Sequence, residues 1–271
     1  MKKIILKDVV YGSHERHVFD MFIPEDVEYK DGVILFIHGG GWHDGDKTIH
    51  HPDAEYFSDR GCICATMNYR FVSEDLSVFN ELDDITSALK AIKEKCTEYG
   101  FDIEKVILSG GSAGGHLSLL YAYTRHEEST VKPVASCVYC PPVALGEPDF
   151  LMGLSGEFEE WKFGILSKCC GFNVTKSTLS DDASQKALMR ISPINYVGNN
   201  CIPTAVFYGK SDELIPERHI EMFLKKLAEK GVKYDSLLYE NSGHALDKDP
   251  EAKMKSRNII EDYLKMYFQI K

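Results

Sequence analysis

The chain has 271 residues, 44% of them hydrophobic and 27% charged, which is the composition of a globular protein long enough to bury a sizeable core. Its formal net charge is −11. Because an acidic surface repels the phosphates of nucleic acids and of anionic membranes, we expect neither nucleic acid nor a membrane as a partner.

The N-terminal segment "MKKIILKDVV" starts with basic residues, as a signal peptide does, but its apolar stretch ends at Lys7 and Asp8. That stretch is too short for the apolar region of a signal peptide, and we find no segment long enough to span a membrane. We therefore expect a cytoplasmic protein whose eight cysteines are reduced thiols. Cys169 and Cys170 are adjacent and poorly placed to bind one metal ion, and no zinc spacing occurs, so we expect no metal.

Short apolar runs recur along the chain and predict β-strands. The first, at 18–23, alternates and ends at Pro24, as an edge or hairpin strand does. The others are nearly continuous in apolar character, which favours strands covered on both faces. They lie at 33–37, 62–66, 105–109, 134–140, 203–208 and 234–239.

Between these runs, apolar residues repeat at helical spacing. The stripes are Leu82, Ile85, Leu89, Ile92 and Cys96; then Ile220, Phe223, Leu224 and Leu227, ending near Gly231; and last Ile259, Ile260, Tyr263, Leu264 and Tyr267. Strands that alternate with helices predict an α/β fold with a mostly parallel sheet and helices on both faces. We expect one domain over 1–271.

One stretch, 145–196, is too long for an ordinary connection between two strands. It is rich in Phe, Trp, Leu and Met, as in "DFLMGLSGEFEEWKFGILSKCCGF". We predict that it forms an insertion with helices of its own.

The segment "SGGSAGGHLS" places Ser112 between two glycine pairs, after a predicted strand and before a helical pattern. Gly-x-Ser-x-Gly in this context is typical of a nucleophile elbow, a tight turn that lifts the serine hydroxyl above the sheet. Side chains two positions away on either side would collide, so Gly110 and Gly114 occupy those positions. The alternative is a glycine-rich turn without chemistry. A dinucleotide fingerprint is excluded because G-x-G-x-x-G fails at Ser112.

A serine hydroxyl needs a base, and the base needs an acid that orients it. Asp212 follows the predicted strand at 203–208, and His244 follows the one at 234–239. The order Ser, Asp, His is that of an α/β-hydrolase triad. Asp212 could instead be a turn or capping residue, Glu213 is the rival acid, and His244 could be an ordinary loop histidine.

A glycine-rich segment, "HGGGW" at 38–42, follows the strand at 33–37. Glycines let backbone N–H groups approach an anionic oxygen closely, which matches the oxyanion motif of lipases and esterases. The N–H of Ala113, directly after Ser112, would complete such a hole. The alternative is a glycine-rich loop that binds nothing.

These motifs, with "NYR" at 68–70, "GKSDELIP" and "SGHAL", resemble the α/β-hydrolase superfamily, and within it carboxylesterases related to hormone-sensitive lipase and its bacterial relatives. The resemblance covers nearly the whole chain. It implies Ser112 as nucleophile, His244 as general base and then acid, and Asp212 as the orienting acid.

The resemblance also implies an oxyanion hole of the Gly40, Gly41 and Ala113 N–H groups, with Gly39 in reserve, and a packing role for His116. The insertion at 145–196 corresponds to a cap over the acyl pocket. The residues expected to line that pocket are Trp42, Phe150, Trp161 and Phe163. The last three could instead form the core of the cap.

The leading function is therefore a serine carboxylesterase that needs no cofactor and acts on small soluble esters, with short acyl groups such as acetyl on sugars. Because "HGGGW" also fits the HGGxW pattern of kynurenine formamidases, an aryl formamidase is the alternative. A third reading is a non-catalytic binding protein of the same fold. The oligomeric state stays open, and a homodimer is one of the states allowed.

Overall fold

The computed structural model describes residues 2–151 and 156–271. In that part of the chain, one sheet contains eight strands. They are β1 (Lys3–Val10), β2 (Val18–Pro24), β3 (Gly32–Ile37), β4 (Ile63–Met67), β5 (Lys105–Gly111), β6 (Lys132–Tyr139), β7 (Thr204–Gly209) and β8 (Tyr234–Tyr239). All seven predicted strands are present, with bounds within two residues of those expected.

The strand order is β1-β2-β4-β3-β5-β6-β7-β8. β1 pairs with β2, and β2 with β4, in antiparallel fashion, whereas every pair from β4 to β8 is parallel. The mostly parallel sheet predicted from the sequence is therefore confirmed. Because β3, β5, β7 and β8 run in the same direction, the segments that follow them lie at one edge of the sheet.

The sequence did not predict β1, which forms a hairpin with β2. β1 is an edge strand, and Ile4 and Ile5 on it are 45% and 43% exposed. β2 pairs on both sides, so the expectation of a hairpin strand at 18–23 is correct and that of an edge strand is wrong. An edge strand buries too little of either face to show a regular apolar pattern.

The helices are α1 (His51–Ser58), α2 (Val78–Glu98), α3 (Ala113–Thr124), α4 (Pro148–Leu151), α5 (Glu157–Cys170), α6 (Asp182–Arg190), α7 (Glu217–Glu229) and α8 (Pro250–Tyr267). Short 3-10 helices occur at Lys47–His50 and Pro193–Tyr196. The three predicted stripes lie in α2, α7 and α8. The segment 145–196 contains α4, α5, α6 and the second 3-10 helix, so its predicted helical content is also present.

The core has two layers, one on each face of the sheet. On β3, Val33, Leu35 and Ile37 belong to one cluster of buried residues, and Ile34 and Phe36 belong to the other. This alternation follows from the two-residue period of a strand. Among the described residues, no helix has the length and apolar character that crossing a membrane requires.

Candidate active site

Ser112 lies in the turn between the end of β5 and the start of α3. Its backbone has φ 52° and ψ −122°, a conformation that non-glycine residues rarely adopt and that costs about 1–3 kcal/mol. Two hydrogen bonds hold the turn: the Ser112 N–H donates to the Tyr139 carbonyl (2.8 Å), and the His116 N–H donates to the Ser112 carbonyl (2.9 Å). The strained turn that the glycine pattern predicts is therefore present.

The glycines around Ser112 are required by close backbone contacts. A Cβ atom at Gly110 would collide with the Ile37 carbonyl oxygen, and one at Gly114 would collide with the same oxygen and with that of His38. A Cβ at Gly39 would lie 2.9 Å from the Gly111 carbonyl oxygen and 3.4 Å from Ser112 Cβ. The loop after β3 is thus packed directly against the serine turn.

His244 and Asp212 form a hydrogen-bonded pair at the same edge of the sheet, in the loops after β8 and β7. The Nδ1 atom of His244 lies 2.9 Å from Asp212 Oδ2 and 3.1 Å from Oδ1. Asp212 Oδ1 also accepts the backbone N–H groups of Leu214 and Ile215, each at 2.9 Å. The Asp212 side chain is 1% exposed and that of His244 is 15% exposed.

The environment of Asp212 favours its ionised form. Burial by itself raises the pKa of this carboxyl, but the hydrogen bond and charge interaction with His244, together with the two backbone donors, lower it below its ordinary value. An ionised Asp212 accepts a hydrogen bond from the Nδ1–H group of His244, and in that tautomer the lone pair on Nε2 is the one available to act as a base.

Nε2 of His244 is buried and has no hydrogen-bond partner among the described residues. The Ser112 hydroxyl therefore does not donate to it in this structure, although Ser112 and His244 line the same two cavities. Such a bond is often long in a ligand-free site and shortens when substrate binds.

The rival acid, Glu213, contacts a different part of the histidine loop. Its Oε2 accepts the backbone N–H of His244 at 3.2 Å, and it makes no hydrogen bond with the imidazole among the described contacts. Asp212, and not Glu213, is therefore the acid on the imidazole.

Cys140 lies beside this pair. Its Sγ atom, an Asp212 oxygen and a His244 nitrogen lie within 4.8 Å of one another, and they form the one group in the described residues with the donor types of a metal site. Burial, followed by the charge of Asp212, raises the pKa of the Cys140 thiol. A protonated thiol is a poor metal ligand, and Asp212 already accepts three hydrogen bonds, so this donor set does not favour a metal ion.

The glycine loop after β3 adopts a backbone conformation that leaves N–H groups free within the described part of the chain. Gly40 and Gly41 have φ values of 111° and 58°, which glycine adopts without strain. No hydrogen bond within the described chain uses their N–H groups. These donors are therefore available to a ligand at Ser112, as is the N–H of Ala113, the first residue of α3, which has no intrahelical acceptor.

Arg16, which the sequence did not single out, braces this loop. Its guanidinium donates to the carbonyls of Gly45 (3.1 Å) and Tyr69 (2.7 Å) and to Nε2 of His38 (3.1 Å). Nδ1 of His38 in turn donates to the Gly39 carbonyl at 2.7 Å. Burial, first among several causes, lowers the pKa of His38 to about 4, so it is a neutral structural residue. No local motif marks Arg16, because its partners are distant in sequence.

Trp42 and His116 form a second brace. Trp42 Nε1 donates to Nδ1 of His116 (3.1 Å), and Nε2 of His116 donates to the Ile191 carbonyl (2.6 Å). Burial lowers the pKa of His116 to about 4, which fits a neutral ring that accepts on one nitrogen and donates on the other. The packing role expected for His116 agrees with these contacts, which link the glycine loop to the segment after α6.

Two cavities of about 300 Å³ each are lined in part by both Ser112 and His244. The first, which we call the polar cavity, is also lined by Gly39, His50, Asp53, Tyr139 and Tyr239. The second, which we call the apolar cavity, is lined mainly by side chains from α5 and from the segments after β6 and β7.

Three of the four predicted pocket residues line the apolar cavity: Trp42, Phe150 and Trp161. Phe163 does not. It lines a separate cavity of about 680 Å³, to which neither Ser112 nor His244 contributes. On a helix, residues three and four positions apart share a face, so Lys162 faces the apolar cavity together with Ile165 and Leu166. Phe163 lies on the other face, with Gly164 and Ser167, and that face lines the separate cavity. The sequence missed Lys162, Ile165 and Leu166 as lining residues.

Comparison with known proteins gives the family. The model of the family described as BD-FAE matches residues 19–227, which is more than half of the chain. The chain belongs to the BD-FAE family. Among curated relatives, it is 27% identical over 255 residues to the probable carboxylic ester hydrolase LipM of Mycobacterium tuberculosis, which covers 89% of this chain and 56% of that protein.

It is also 24% identical over 249 residues to the probable isoprenylcysteine alpha-carbonyl methylesterase ICMEL1 of rice (Oryza sativa subsp. japonica), covering 89% of this chain and 57% of that protein. The chain thus spans little more than half the length of these relatives. Among solved structures, esterase B from Lactobacillus rhamnosis has a TM-score of 0.76 at 20% identity, covering 97% of this chain and 86% of that chain.

A truncated carbohydrate esterase from gut microbiota has the same TM-score, 0.76, at 17% identity, covering 95% of each chain. At such identities, these likenesses show the fold alone. The predicted α/β-hydrolase fold is confirmed by them and by the sheet described above.

Proposed function

We propose that this protein is a serine hydrolase that cleaves carboxylic esters through an acyl-enzyme. The observation that carries the proposal is the arrangement at one sheet edge: a serine in a strained turn faces the same cavities as an imidazole held on Nδ1 by a buried carboxylate. Curated relatives named as ester hydrolases and methylesterases support this choice of reaction.

In the proposed mechanism, His244 Nε2 removes the proton of the Ser112 hydroxyl while Oγ attacks the ester carbonyl. The resulting imidazolium is stabilised by Asp212, which stays ionised. The developing oxyanion accepts hydrogen bonds from the N–H groups of Ala113 and of Gly40 or Gly41. His244 then protonates the leaving alcohol, and in the second half-reaction it activates the water that cleaves the acyl-enzyme.

The two cavities would hold the two halves of the ester, one on each side of the scissile bond. At about 300 Å³ each, they are at the small end of ligand sites, which supports short, soluble esters such as acetates. The helices of 145–196 supply Phe150, Trp161 and Lys162 to the apolar cavity, and we therefore propose that this segment acts as a cap within a single domain.

The test is the hydrolysis of p-nitrophenyl esters from acetate to decanoate by wild type and by Ser112→Ala. We expect turnover that is highest on the short esters and that falls about 10³-fold or more in the variant. Ser87→Ala, on the exposed side of α2, is the matched control and keeps full activity. Ester turnover retained by folded Ser112→Ala would overturn the proposal. An aryl formamide in the same panel tests the alternative amide substrate. Turnover of the formamide without turnover of any ester would make the protein an amide hydrolase instead of an esterase.

A further inference from the structure

Lys162 is a cation in the wall of the apolar cavity, and none of the described residues supplies it with a counterion. It lies on α5 and is only 8% exposed. Its neighbours in the cavity wall include Phe150, Ile165 and Leu166. Its Nζ atom lies 3.9 Å from the centroid of the Phe150 ring, and among the described residues it forms no hydrogen bond and no ion pair.

The other deeply buried lysine of the described chain has the carboxylate partners that Lys162 lacks. Lys47 is 6% exposed, and its Nζ atom contacts Asp8 at 2.9 Å and Asp20 at 3.0 Å. An unpaired buried charge destabilises a folded protein, so buried charges are normally paired. Residues 1 and 152–155, which the structure does not describe, contain no Asp or Glu and so offer Lys162 no carboxylate.

Asp212 is the acid whose charge acts on Lys162, but it is already engaged. Its oxygens accept from His244 and from two backbone N–H groups. Burial therefore dominates and lowers the pKa of Lys162 to about 8, although the charge of Asp212 opposes this. A cation in this position is stabilised when a second anion enters the cavity.

We propose that Lys162 binds a free carboxylate on the substrate, at the end of the half of the ester that occupies the apolar cavity. This inference rests on the proposed esterase function and deepens it. The methylene chain of such a substrate contacts Trp42, Trp161 and Phe150, and its carboxylate pairs with the lysine ammonium. The carboxylate belongs either to the acyl half, as in a monoester of a dicarboxylic acid, or to the alcohol half, as in the acetate of a hydroxy acid.

The experiment compares kcat/KM for two pairs of esters by continuous proton release. One pair is monoethyl adipate and its neutral amide, ethyl 6-amino-6-oxohexanoate; the other is 4-acetoxybutanoate and 4-acetoxybutanamide. We expect wild type to prefer the anion in one pair, which identifies the half that enters the apolar cavity. In Lys162→Met, the anion-to-amide ratio of kcat/KM for that pair falls about 10- to 100-fold, mainly through KM.

Lys162→Arg keeps the charge and is expected to retain most of the preference. The matched control is Lys168→Met on the same helix, where a partly exposed lysine pairs with Glu74 and does not line the apolar cavity. We expect this variant to keep the anion-to-amide ratio of wild type. Lys162→Met is expected to melt at the same or a higher temperature than wild type, because it removes an unpaired buried charge. An equal ratio in wild type and Lys162→Met overturns the inference and leaves the proposed esterase function in place.

A binding measurement separates this inference from the proposed function. Calorimetric titration of monoethyl adipate and of 4-acetoxybutanoate into Ser112→Ala needs no turnover. We expect the preferred anion to bind, and the additional change Lys162→Met to weaken its binding by a similar factor. If no ester is hydrolysed but this dependence on Lys162 holds, the proposed function fails and the carboxylate site stands. If esters are hydrolysed but binding does not depend on Lys162, the proposed function stands and the carboxylate site fails.

Discussion

Gly114→Ala tests whether the serine turn is held by backbone contact between β3 and α3. Gly114 is the second residue of α3, where alanine is intrinsically preferred over glycine by about 1 kcal/mol. Its new methyl group, however, would overlap the carbonyl oxygens of Ile37 and His38, which are backbone atoms and cannot rotate away. Overpacking of this kind costs about 1–3 kcal/mol and sometimes more. Because both contacts are with backbone atoms, we expect a cost of about 3 kcal/mol, at the upper end of this range, and after the alanine preference a net loss of about 2 kcal/mol in the free energy of unfolding.

The assay is denaturant unfolding, with Gly111→Ala as the matched control on the other side of Ser112. The nearest atom to a Cβ at Gly111 is the Tyr139 carbonyl oxygen at 4.0 Å, and Gly111 is not among the glycines with positive φ. This control is therefore expected to be neutral or up to about 1 kcal/mol more stable. Equal or greater stability of Gly114→Ala relative to wild type would refute the packing argument.

Three further predictions concern the residues around Ser112. Asp212→Asn lowers kcat about 10⁴-fold, because an amide can neither hold the reactive tautomer of His244 nor stabilise its cation; ester turnover measures this, with Glu213→Gln losing at most about 10-fold. Burial raises the pKa of Asp212, but the hydrogen bond with His244 lowers it, so that its pKa in the folded protein is below 3.8. The ionised carboxylate therefore stabilises the fold above pH 3.8, and this contribution is lost as the pH falls further. Unfolding free energy should therefore fall more steeply in wild type than in Asp212→Asn below about pH 4. Trp42→Phe leaves Nδ1 of His116 buried without a donor and costs about 1–3 kcal/mol of stability, whereas Trp161→Phe, at a residue that is 44% exposed, changes it by less than about 0.5 kcal/mol.

Each of these has a clear contrary result. A Glu213→Gln variant as inactive as Asp212→Asn would mean that Glu213 orients the imidazole. If the free energy of unfolding fell equally with pH in wild type and in Asp212→Asn, the fold would not stabilise the ionised form of the Asp212 carboxyl. A Trp42→Phe protein as stable as Trp161→Phe would mean that the Trp42–His116 hydrogen bond contributes nothing.

Much of the fold could be predicted because its parallel strands are buried on both faces. Such strands appear as continuous apolar runs, and the helices that cover them show regular stripes. The positions of Ser112, Asp212 and His244 could be predicted because each follows the carboxyl end of a strand, and parallel strands bring those ends together. Local glycine patterns also mark backbone contacts that only glycine tolerates, as at Gly110 and Gly114.

What the sequence could not supply depends on contacts between distant segments. β1 is a half-exposed edge strand without a regular apolar pattern. Arg16 acts on carbonyls of Gly45 and Tyr69, far along the chain, and no spacing rule connects them. On α5, the sequence favours Phe163 over Lys162 as a cavity residue because it is aromatic, but the rotation of the helix places the lysine there instead.

The central claim is that Ser112 is the nucleophile, and covalent trapping tests it most directly. Its Oγ would attack the phosphorus of a 4-nitrophenyl alkylphosphonate, displacing 4-nitrophenolate as His244 takes the hydroxyl proton. Intact mass spectrometry and peptide mapping should show one phosphonyl group per chain, on Ser112, with one equivalent of nitrophenol released and no labelling of Ser112→Ala. A label on another residue, stoichiometric labelling of Ser112→Ala, or a folded wild type that takes no label would contradict the account.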